Sequence, residues 1–508
     1  MLAALTRRRR DDPLMCGDVR PSDGVVPAAT HDAALGREAL WGTARIFTAD
    51  ALLLPTGLLT AAYLSRELGP GLYGLYALAA AIVVWLEWSV TALYARATLK
   101  LVGDADDWRA VGATITWAHV VTGALAGAVV ALGAGPLADL LAAPALATPL
   151  RLFSLDVPIV CAATAHRNLL VGTGRYGMRA AASVARSVAR MLLAIGLVAA
   201  GFGVEGAIAG VVASSAIELV VARRAIRPRW RRDPSVALSG IAEVALPLLL
   251  FAASVRLLDK VDILALQRIG RSVADTGVYA AAQNLAVAPG LFASALSGLL
   301  LAMLGRLRRE GRIEHARWLS RGALRALVLL LPFAAIVAGG AGPIVRVVFG
   351  EAFAGAIPLV GFLVFAAMGL LVLGVASAIL TAWDHAWDAV FVTAPAVAIG
   401  IAGYALAIPS LGARGAALVT TGIALVAALG SMVALRRRLR FTVPAATVIR
   451  GVAVSGIGFA AARALDGAVA DLVALGGLVL LGVAVPLCFL ATGELSRDEL
   501  ALLGTRGS

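Results

Sequence analysis

The chain has 508 residues, of which 60% are hydrophobic and 15% are charged, and its mean hydropathy is +0.89. A soluble protein of this length needs far more charged surface to cover its core, so a soluble globular fold is excluded. Apolar runs of about 20 residues recur along the chain, and each is long enough to cross a bilayer. The composition therefore predicts a polytopic, all-α integral membrane protein.

The formal net charge of +13 could indicate a nucleic-acid partner, so the positions of the cations matter. Arginines gather in every second segment between apolar runs, whereas the intervening segment GFGVEG has no cation and IPSLGARG has only Arg414. This is the positive-inside pattern, which fixes membrane orientation. It predicts cytoplasmic termini and no nucleic-acid partner. The clustered arginines are Arg223, Arg224, Arg227, Arg229, Arg231 and Arg232, then Arg306, Arg308, Arg309, Arg312, Arg317, Arg321 and Arg325, and finally Arg436, Arg437, Arg438 and Arg440.

The first 38 residues and the cysteines carry little functional information. Residues 1–38 lack the apolar core of a signal peptide, so we predict a disordered cytoplasmic tail, held inside by the four arginines at 7–10. Cys16 lies in this tail, and Cys161 and Cys488 lie inside apolar segments. No two of them have the spacing of a metal site or a disulfide framework.

Fourteen membrane-spanning helices are predicted, in two six-helix lobes and an additional pair. The predicted helices cover residues 39–66, 72–97, 109–132, 145–171, 179–202, 204–226, 237–266, 274–304, 319–341, 356–383, 387–408, 412–435, 445–465 and 467–491. The predicted organisation is the tail 1–38, an N-lobe 39–226, a basic cytoplasmic linker 227–236, a C-lobe 237–435, an extra helix pair 436–493 and a cytoplasmic tail 494–508.

The two lobes are predicted to be repeats of one another. The tetrad Gly-Leu-Tyr-Ala beginning at Gly74 returns as Gly-Val-Tyr-Ala beginning at Gly277. GAGP occurs at 133–136 and 340–343, Pro149 corresponds to Pro358, and the G-x-x-G-A motif at 203–207 returns at 412–416. Four matches in order and at nearly constant offset are not expected by chance. Because six crossings return each lobe to its starting side, the lobes must be related by a pseudo-twofold axis along the membrane normal.

The predicted loops on the extracytoplasmic side are short, and no soluble domain is inserted between helices. An integral glycosyltransferase or polymerase normally needs an ordered loop domain to hold its donor and acceptor. The short loops therefore argue against an enzyme. Two parallel lobes with a cavity between them favour transport by alternating access.

Charges inside apolar segments are the best candidates for a functional site, because each costs about 2.5–3.5 kcal/mol at mid-bilayer unless it is paired or hydrated. One interpretation is a cationic cavity that holds an anionic group, with carboxylates available for proton or Na⁺ coupling. The other is a set of structural salt bridges and arginines that extend to the cytoplasmic interface. The predicted cavity cations are Arg45, Arg186, Arg190, Arg256 and Lys260, and the predicted ion-coupling carboxylates are Asp50, Glu87, Asp156, Asp259 and Asp262.

Three tempting motifs are interpreted as structural. The segment GTGRYG at 172–177 fits G-x-G-x-x-G, but no strand surrounds it, so we predict a cytoplasmic turn and no dinucleotide site. Asp384, His385 and Asp388 resemble a metal cluster only by composition and lie in the corresponding turn of the C-lobe. His119 and His166 lack ligand spacing. No metal and no cofactor are expected, apart from possible coupling to H⁺ or Na⁺.

Several segments together resemble bacterial polysaccharide flippases of the Wzx type. These are SRELGPGLYGLYALA, then DILALQRIGRSVADTGVYAAAQNL, then FGEAFAGAIPLVGFL and IPSLGARGAALVT, and they span roughly residues 40–440. The resemblance implies the multidrug/oligosaccharidyl-lipid/polysaccharide flippase superfamily and the bacterial cytoplasmic membrane. It also implies translocation of a polyprenyl-pyrophosphate-linked oligosaccharide to the outer leaflet. A basic lumen of Arg45, Arg256 and Lys260 would bind the pyrophosphate, and glycosyltransferases and a polysaccharide polymerase are possible partners.

The chain departs from this family in two places, and alternatives stay open. TAWDHAW replaces a Gly-Arg-like turn, and the pair 445–491 exceeds a twelve-helix core. Lipid II flippases have fourteen helices, so export of a peptidoglycan precursor is the first alternative. A cation-coupled small-molecule exporter is disfavoured by the clustered Arg and Lys, and a membrane enzyme by the missing loop domain. A scaffold for cell-wall enzymes would function normally without the cavity charges.

Overall fold

The computed structural model describes residue 45 and residues 48–104, 108–228 and 260–494, and everything below concerns these residues. They are helical almost throughout and contain no β-strand, which confirms the predicted all-α membrane fold. The predicted N-terminal tail, most of the linker and the predicted helix 237–266 up to residue 259 lie outside the described residues. Residues 260–270 form a helical segment, and 13 further α-helices are bounded below.

The helices are numbered in chain order. They are α1 Leu53–Asp104, α2 Trp108–Leu140, α3 Ala147–Ser154, α4 Asp156–Gly172, α5 Tyr176–Leu197, α6 Gly203–Ala225, α7 Val273–Arg309, α8 Ile313–Gly339, α9 Ala341–Phe349, α10 Ala356–Ala382, α11 Ala386–Leu439, α12 Ala445–Leu465 and α13 Asp471–Ala491. Short 3₁₀ turns at Pro144–Leu146 and Glu351–Phe353 precede α3 and α10. A π-helical turn at Val198–Phe202 joins α5 to α6.

The longest helices are each two membrane crossings joined at a sharp break. Among the described residues, 9 stretches are long and apolar enough to cross a membrane, and three of them have 45, 50 and 49 residues. The first and last of these three break at Gly69 (φ 67°) and Gly412 (φ 56°), a conformation that side chains with a Cβ rarely adopt. Pro70 directly follows Gly69 and suits the first turn of the next helix. These breaks lie at predicted helix boundaries.

Two segments that were predicted to be loops are helical. GAGP at 133–136 continues α2 to Leu140, and GAGP at 340–343 begins the separate short helix α9. The predicted single helix 145–171 is likewise divided into α3 and α4 at Leu155. Proline removes a backbone donor, which is why sequence alone suggests loops at both segments. Pro343 lies in the first turn of α9, where proline is tolerated, whereas Pro136 lies inside α2.

The two halves meet where the repeated tetrads cross, and this contact follows the predicted twofold relation. A Cβ at Gly74 would lie 2.0 Å from the carbonyl oxygen of Val273, and one at Gly277 would lie 2.0 Å from that of Pro70. Each glycine therefore packs against the residue four positions before its own repeat mate. We call Pro70, Gly74, Val273 and Gly277 the glycine seam.

Near the glycine seam, each half donates one side-chain hydrogen bond to a backbone carbonyl oxygen of the other half. Arg66 Nε donates to the carbonyl oxygen of Val348 at 3.2 Å, and Gln267 Nε2 donates to that of Leu141 at 3.2 Å. Both donors belong to the last turns of the first crossing in their half, and both acceptors follow a GAGP segment. The halves are therefore held together at this end of the bundle by reciprocal contacts.

The membrane environment reverses the usual distribution of polarity. Leu132, Leu406 and Leu472 are 84%, 79% and 74% exposed, whereas Glu87, Asp156 and Glu218 are at most 4% exposed. Lipid solvates apolar side chains, so the outer helix faces need no further cover. The charged side chains are directed inward, where they can find partners.

The extra pair α12–α13 packs on α8 and is fastened at both ends. Gly451 and Gly458 of α12 contact Val328 and Ile336 of α8, and Phe459 contacts Gly339. At one end Arg346 of α9 binds Asp466 and Asp471, both at 2.7 Å. At the other end Glu494 accepts hydrogen bonds from Arg325, Arg450 and Thr447 at 2.6–2.9 Å.

Candidate functional site

The N-terminal half, α1–α6, contains a buried cluster of charged side chains that begins with three arginines on α5. Arg179, Arg186 and Arg190 are spaced by seven and four residues, so helical periodicity places them on one face. Arg179 donates to Asp50 at 2.8 Å and to Ser183 at 3.0 Å. The predicted carboxylate Asp50 thus pairs with Arg179, on the α5 face that also carries the predicted cation Arg186.

Glu218 of α6 is the central carboxylate of this cluster, and the sequence analysis missed it. It is 0% exposed and lies 3.1 Å from Arg167 of α4 and 3.5 Å from Arg186 of α5. Arg167 also donates to Thr164 at 2.6 Å. Glu218 and Arg167 both lie inside apolar segments. The cost of a charge in the bilayer, which made Asp156 a candidate, therefore applies to them as well.

Glu87 and Asp156 lie side by side next to the arginines. Glu87 belongs to the second half of α1 and Asp156 is the first residue of α4, and both are within electrostatic range of Arg186 and Arg190. Both carboxylate oxygens of Asp156 and Oε1 of Glu87 make no hydrogen bond of normal geometry among the described residues, although the Ser215 hydroxyl lies next to Asp156. Adjacent buried carboxylates repel each other, so this pair has the chemistry of a proton- or cation-binding site.

The predicted cavity cations are not all brought together. Arg190 lies deep in the N-terminal half beside Tyr76. Arg45 is exposed, and Lys260 is half-buried at the start of the described part of the other half. Within the described ranges, no carboxylate forms an ion pair with Arg45 or Lys260. Arg256 and Asp259 lie outside the described residues, so the predicted basic lumen stays a prediction.

The C-terminal half, residues 260–439, holds a hydrogen-bond network around Asp262 where the other half holds its arginines. Asp262 Oδ2 accepts hydrogen bonds from Tyr279 at 2.8 Å and Gln283 at 2.7 Å. The hydroxyl oxygens of Tyr279 and Tyr404 each lie within 3.2 Å of the Thr420 hydroxyl oxygen. Tyr279 is the repeat mate of Tyr76, so the same tetrad position contacts a carboxylate in one half and an arginine in the other.

Two turns, GTGRYG and the one with Asp384, His385 and Asp388, are interpreted as structural in the sequence analysis. Neither contains a group of three metal-binding side chains among the described residues. Residue Gly174 of GTGRYG has φ 74° in the turn between α4 and α5, as predicted. In the corresponding turn of the C-terminal half, Asp384 binds Arg308 and Asp388 binds Arg438.

Three solved structures that resemble this chain are transporters that share one fold. The lipid II flippase MurJ in an inward closed conformation has a TM-score of 0.72 and 14% identity, over 87% of this chain and 97% of that chain. A variant of the Vibrio cholerae MATE transporter VcmN has a TM-score of 0.60 and 16% identity, over 81% and 98%. A MOP superfamily transporter from Pyrococcus furiosus has a TM-score of 0.55 and 14% identity, over 79% and 95%.

These identities establish the fold, and the family rests on sequence. No curated protein sequence matches the chain significantly. The sequence model described as "Polysaccharide biosynthesis protein" matches residues 63–358. That stretch is more than half of the chain and includes the glycine seam, the buried carboxylates and, from the Asp262 network, Asp262, Tyr279 and Gln283. This protein therefore belongs to the polysaccharide biosynthesis protein family and has the multi-pass helical fold of MOP superfamily transporters.

Proposed function

We propose that the protein is a flippase of the bacterial cytoplasmic membrane that carries a polyprenyl-pyrophosphate-linked oligosaccharide from the inner to the outer leaflet. The family links the chain to polysaccharide synthesis, and the fold links it to transporters. A lipid-linked oligosaccharide is the intermediate that such a pathway must move across the bilayer. Alternating access of the two halves is the proposed mechanism.

The observation that carries the proposal is the glycine seam. The halves approach to backbone contact at one end of the bundle, through the reciprocal pairs Gly74–Val273 and Gly277–Pro70. The arginine-rich turns, including Arg308 and Arg438, follow the helix ends opposite to the seam, where cationic loops predict the cytoplasm. Contact between the halves at the extracytoplasmic end is what an inward-facing state, which would load from the inner leaflet, requires.

The N-terminal charge cluster supports coupling of transport to an ion. Arg186 faces Glu218, and Glu87 and Asp156 lie nearby. Protonation of this carboxylate pair would leave the arginines with less compensating charge and more free to attract a pyrophosphate, which arginine binds bidentately. Proton uptake and anion binding would then favour each other, so H⁺ is the proposed coupling ion.

The test is to deplete the protein in its native cell and profile polyprenyl-linked intermediates in both leaflets by mass spectrometry. We expect one lipid-pyrophosphate-oligosaccharide to accumulate on the cytoplasmic side. Unchanged intermediates in cells that still make every surface glycan would contradict the proposal.

Variants then connect the phenotype to the cavity. Arg45→Gln and Arg256→Gln should abolish export while the protein still inserts and folds. Arg306→Gln is the matched control, because Arg306 is an exposed arginine paired with Glu310. Full export by both single variants and by the double variant would contradict the basic-lumen mechanism.

A lipid II flippase is the second candidate, and one observation favours it. The structural match with MurJ covers 87% of this chain, which is more than the 81% and 79% of the two shorter matches quoted above. Identification of the accumulated lipid decides between the two, since accumulation of lipid II would replace the oligosaccharide proposal.

A further inference from the structure

A polar cavity opens at the arginine-rich C-terminal ends of α7 and α10, away from the buried charge cluster. It has a volume of about 550 Å³ and is lined by Arg308 and Arg309 of α7, by Asp384 after α10, and by Leu301, Ile313 and Thr381. Ligand sites typically have volumes of about 300–1,000 Å³. Two adjacent arginines and a single carboxylate give the cavity a net positive charge.

Arg308 is held in place by groups that imitate an anionic ligand. It donates to the carbonyl oxygen of Ala382 and, at 2.8 Å, to Oδ2 of Asp384. Its guanidinium also lies 5.2 Å from the centre of the Trp383 ring. Arg309 is exposed and pairs with no carboxylate among the described residues. Arg308 is therefore preorganised to bind an anion. The charge of Arg309 is not neutralised by a carboxylate among the described residues.

Asp384 is the unusual member of this cavity. Its φ is 65°, a left-handed conformation that is disfavoured for residues with a Cβ. The corresponding turn of the N-terminal half has glycine at this position, Gly174, with φ 74°. After glycine, aspartate is one of the residues that adopt this conformation most readily. At this position its side chain adds what glycine lacks, a carboxylate that binds Arg308.

A stronger anion can displace the Asp384 carboxylate from Arg308. Its side chain is 80% exposed, and ion pairs accessible to water contribute little to stability. A diphosphate carries more charge than a carboxylate and has oxygens for two arginines at once. It would therefore compete effectively for Arg308 and recruit Arg309.

We propose that this cavity binds the diphosphate group of a ligand at the membrane surface, and that Asp384 occupies Arg308 until the ligand displaces it. The inference rests on the proposed function in one respect, namely that the diphosphate belongs to a lipid-linked substrate. The cavity would then be a loading site on the C-terminal half, which the substrate occupies before it enters the space between the halves. A soluble nucleoside diphosphate presents the same chemistry and is the alternative source.

The experiment is a calorimetric titration of the purified full-length protein with inorganic pyrophosphate, farnesyl pyrophosphate and UDP, with farnesol and sulfate as controls for micelle partitioning and ionic strength. We expect saturable binding of pyrophosphate that Arg309→Gln weakens at least about tenfold, the loss typical of a charge-assisted hydrogen bond. Arg306→Gln removes the same charge one turn earlier, outside the cavity, and should leave the affinity unchanged. Asp384→Asn should tighten binding by up to about fivefold, the contribution of an exposed ion pair.

The arms identify the source of the diphosphate. Tighter binding of farnesyl pyrophosphate than of inorganic pyrophosphate, without binding of farnesol, supports a lipid-linked ligand. Equal or tighter binding of UDP supports a soluble one. Pyrophosphate binding no stronger than that of sulfate, or equal affinity of Arg309→Gln, Arg308→Lys and wild-type protein, would overturn the proposed cavity site. Accumulation of a lipid-linked intermediate on depletion would still stand in that case, so the two proposals can fail separately.

Discussion

At the scale of single residues, the least replaceable side chain of the charge cluster is Glu218. It is fully buried between Arg167 and Arg186, so its loss leaves two arginines without their carboxylate. Removing one partner of a buried ion pair destabilises proteins by about 3–5 kcal/mol. We expect Glu218→Gln to lower the thermal unfolding temperature of the purified protein clearly, as measured by intrinsic fluorescence.

Glu205 provides the control on the same helix. It is exposed in the first turn of α6, and Glu205→Gln should leave the unfolding temperature close to that of the wild type. If Glu218→Gln unfolded at the same temperature as Glu205→Gln, Glu218 would not hold the cluster together.

Sequence alone identified part of this cluster. The spacing of Arg186 and Arg190 placed them on one face of a helix, as the structure has them. Their partners could not be predicted, because Glu87, Asp156 and Glu218 lie on three other helices, and a helical period says nothing about which helices become neighbours. Arg186 lies 3.5 Å from the carboxylate of Glu218, and its predicted role in substrate binding stays a prediction.

At the scale of helices, the close approach of α1 and α7 depends on two residues without side chains. Alanine at Gly277 would place its Cβ 2.0 Å from the Pro70 carbonyl oxygen, and the backbone cannot give way as a side chain can. Overpacking of this kind costs about 1–3 kcal/mol. That is enough to shift a two-state population by about tenfold. We expect Gly277→Ala and Gly74→Ala to favour a state that is open at this end.

The measurement is labelling with a membrane-impermeant maleimide added outside, at a cysteine replacing the fully buried Ala281 in a background without the native cysteines. Labelling should accelerate in both glycine variants. Gly71→Ala is the matched control, since a Cβ there meets nothing within 4 Å. Equal labelling of all three would mean that the seam does not hold the halves closed.

The existence of most helices followed from hydropathy, but their joints did not. Hydropathy registers an apolar stretch equally whether it is straight or broken, so the break at Gly69 is predictable only from the turn-forming residues Gly69, Pro70 and Gly71. The short helix α9 was missed because Gly340 and Pro343 read as a turn. The C-terminal end of α9 is held by Arg66 of the other half, which donates hydrogen bonds to the carbonyl oxygens there.

At the scale of the whole molecule, the attachment of α12–α13 to α8 should depend on pH. Burial raises the pKa of Glu494, but hydrogen bonds from Thr447, Arg450 and Arg325 outweigh it, so the pKa lies below its usual range. A carboxylate with a lowered pKa stabilises the folded state above its unfolded pKa of about 4.3. That contribution disappears as the pH falls through the folded value.

Thermal unfolding from pH 7 down to pH 3 tests this attachment. Glu494→Gln should unfold at a lower temperature than wild type at pH 7, and the difference should shrink below about pH 4 as the wild-type carboxylate protonates. Glu310→Gln is the comparison, because the ion pair of Glu310 with Arg306 is exposed on the surface and should matter little. A constant difference between Glu494→Gln and wild type across this range would exclude the charge of Glu494 as its cause.

The glycine seam also bears on how such a chain could arise. A contact in which Gly74 meets the equivalent of Pro70, and Gly277 meets Pro70 itself, is self-complementary. Self-complementary patches are what symmetric homodimers use to associate. A single six-helix half with this patch could pair with an identical copy in the same membrane orientation, since an even number of crossings lets both insert alike. Gene duplication and fusion would then join two proteins that already fit, after which Tyr76 and Tyr279 were free to acquire opposite partners.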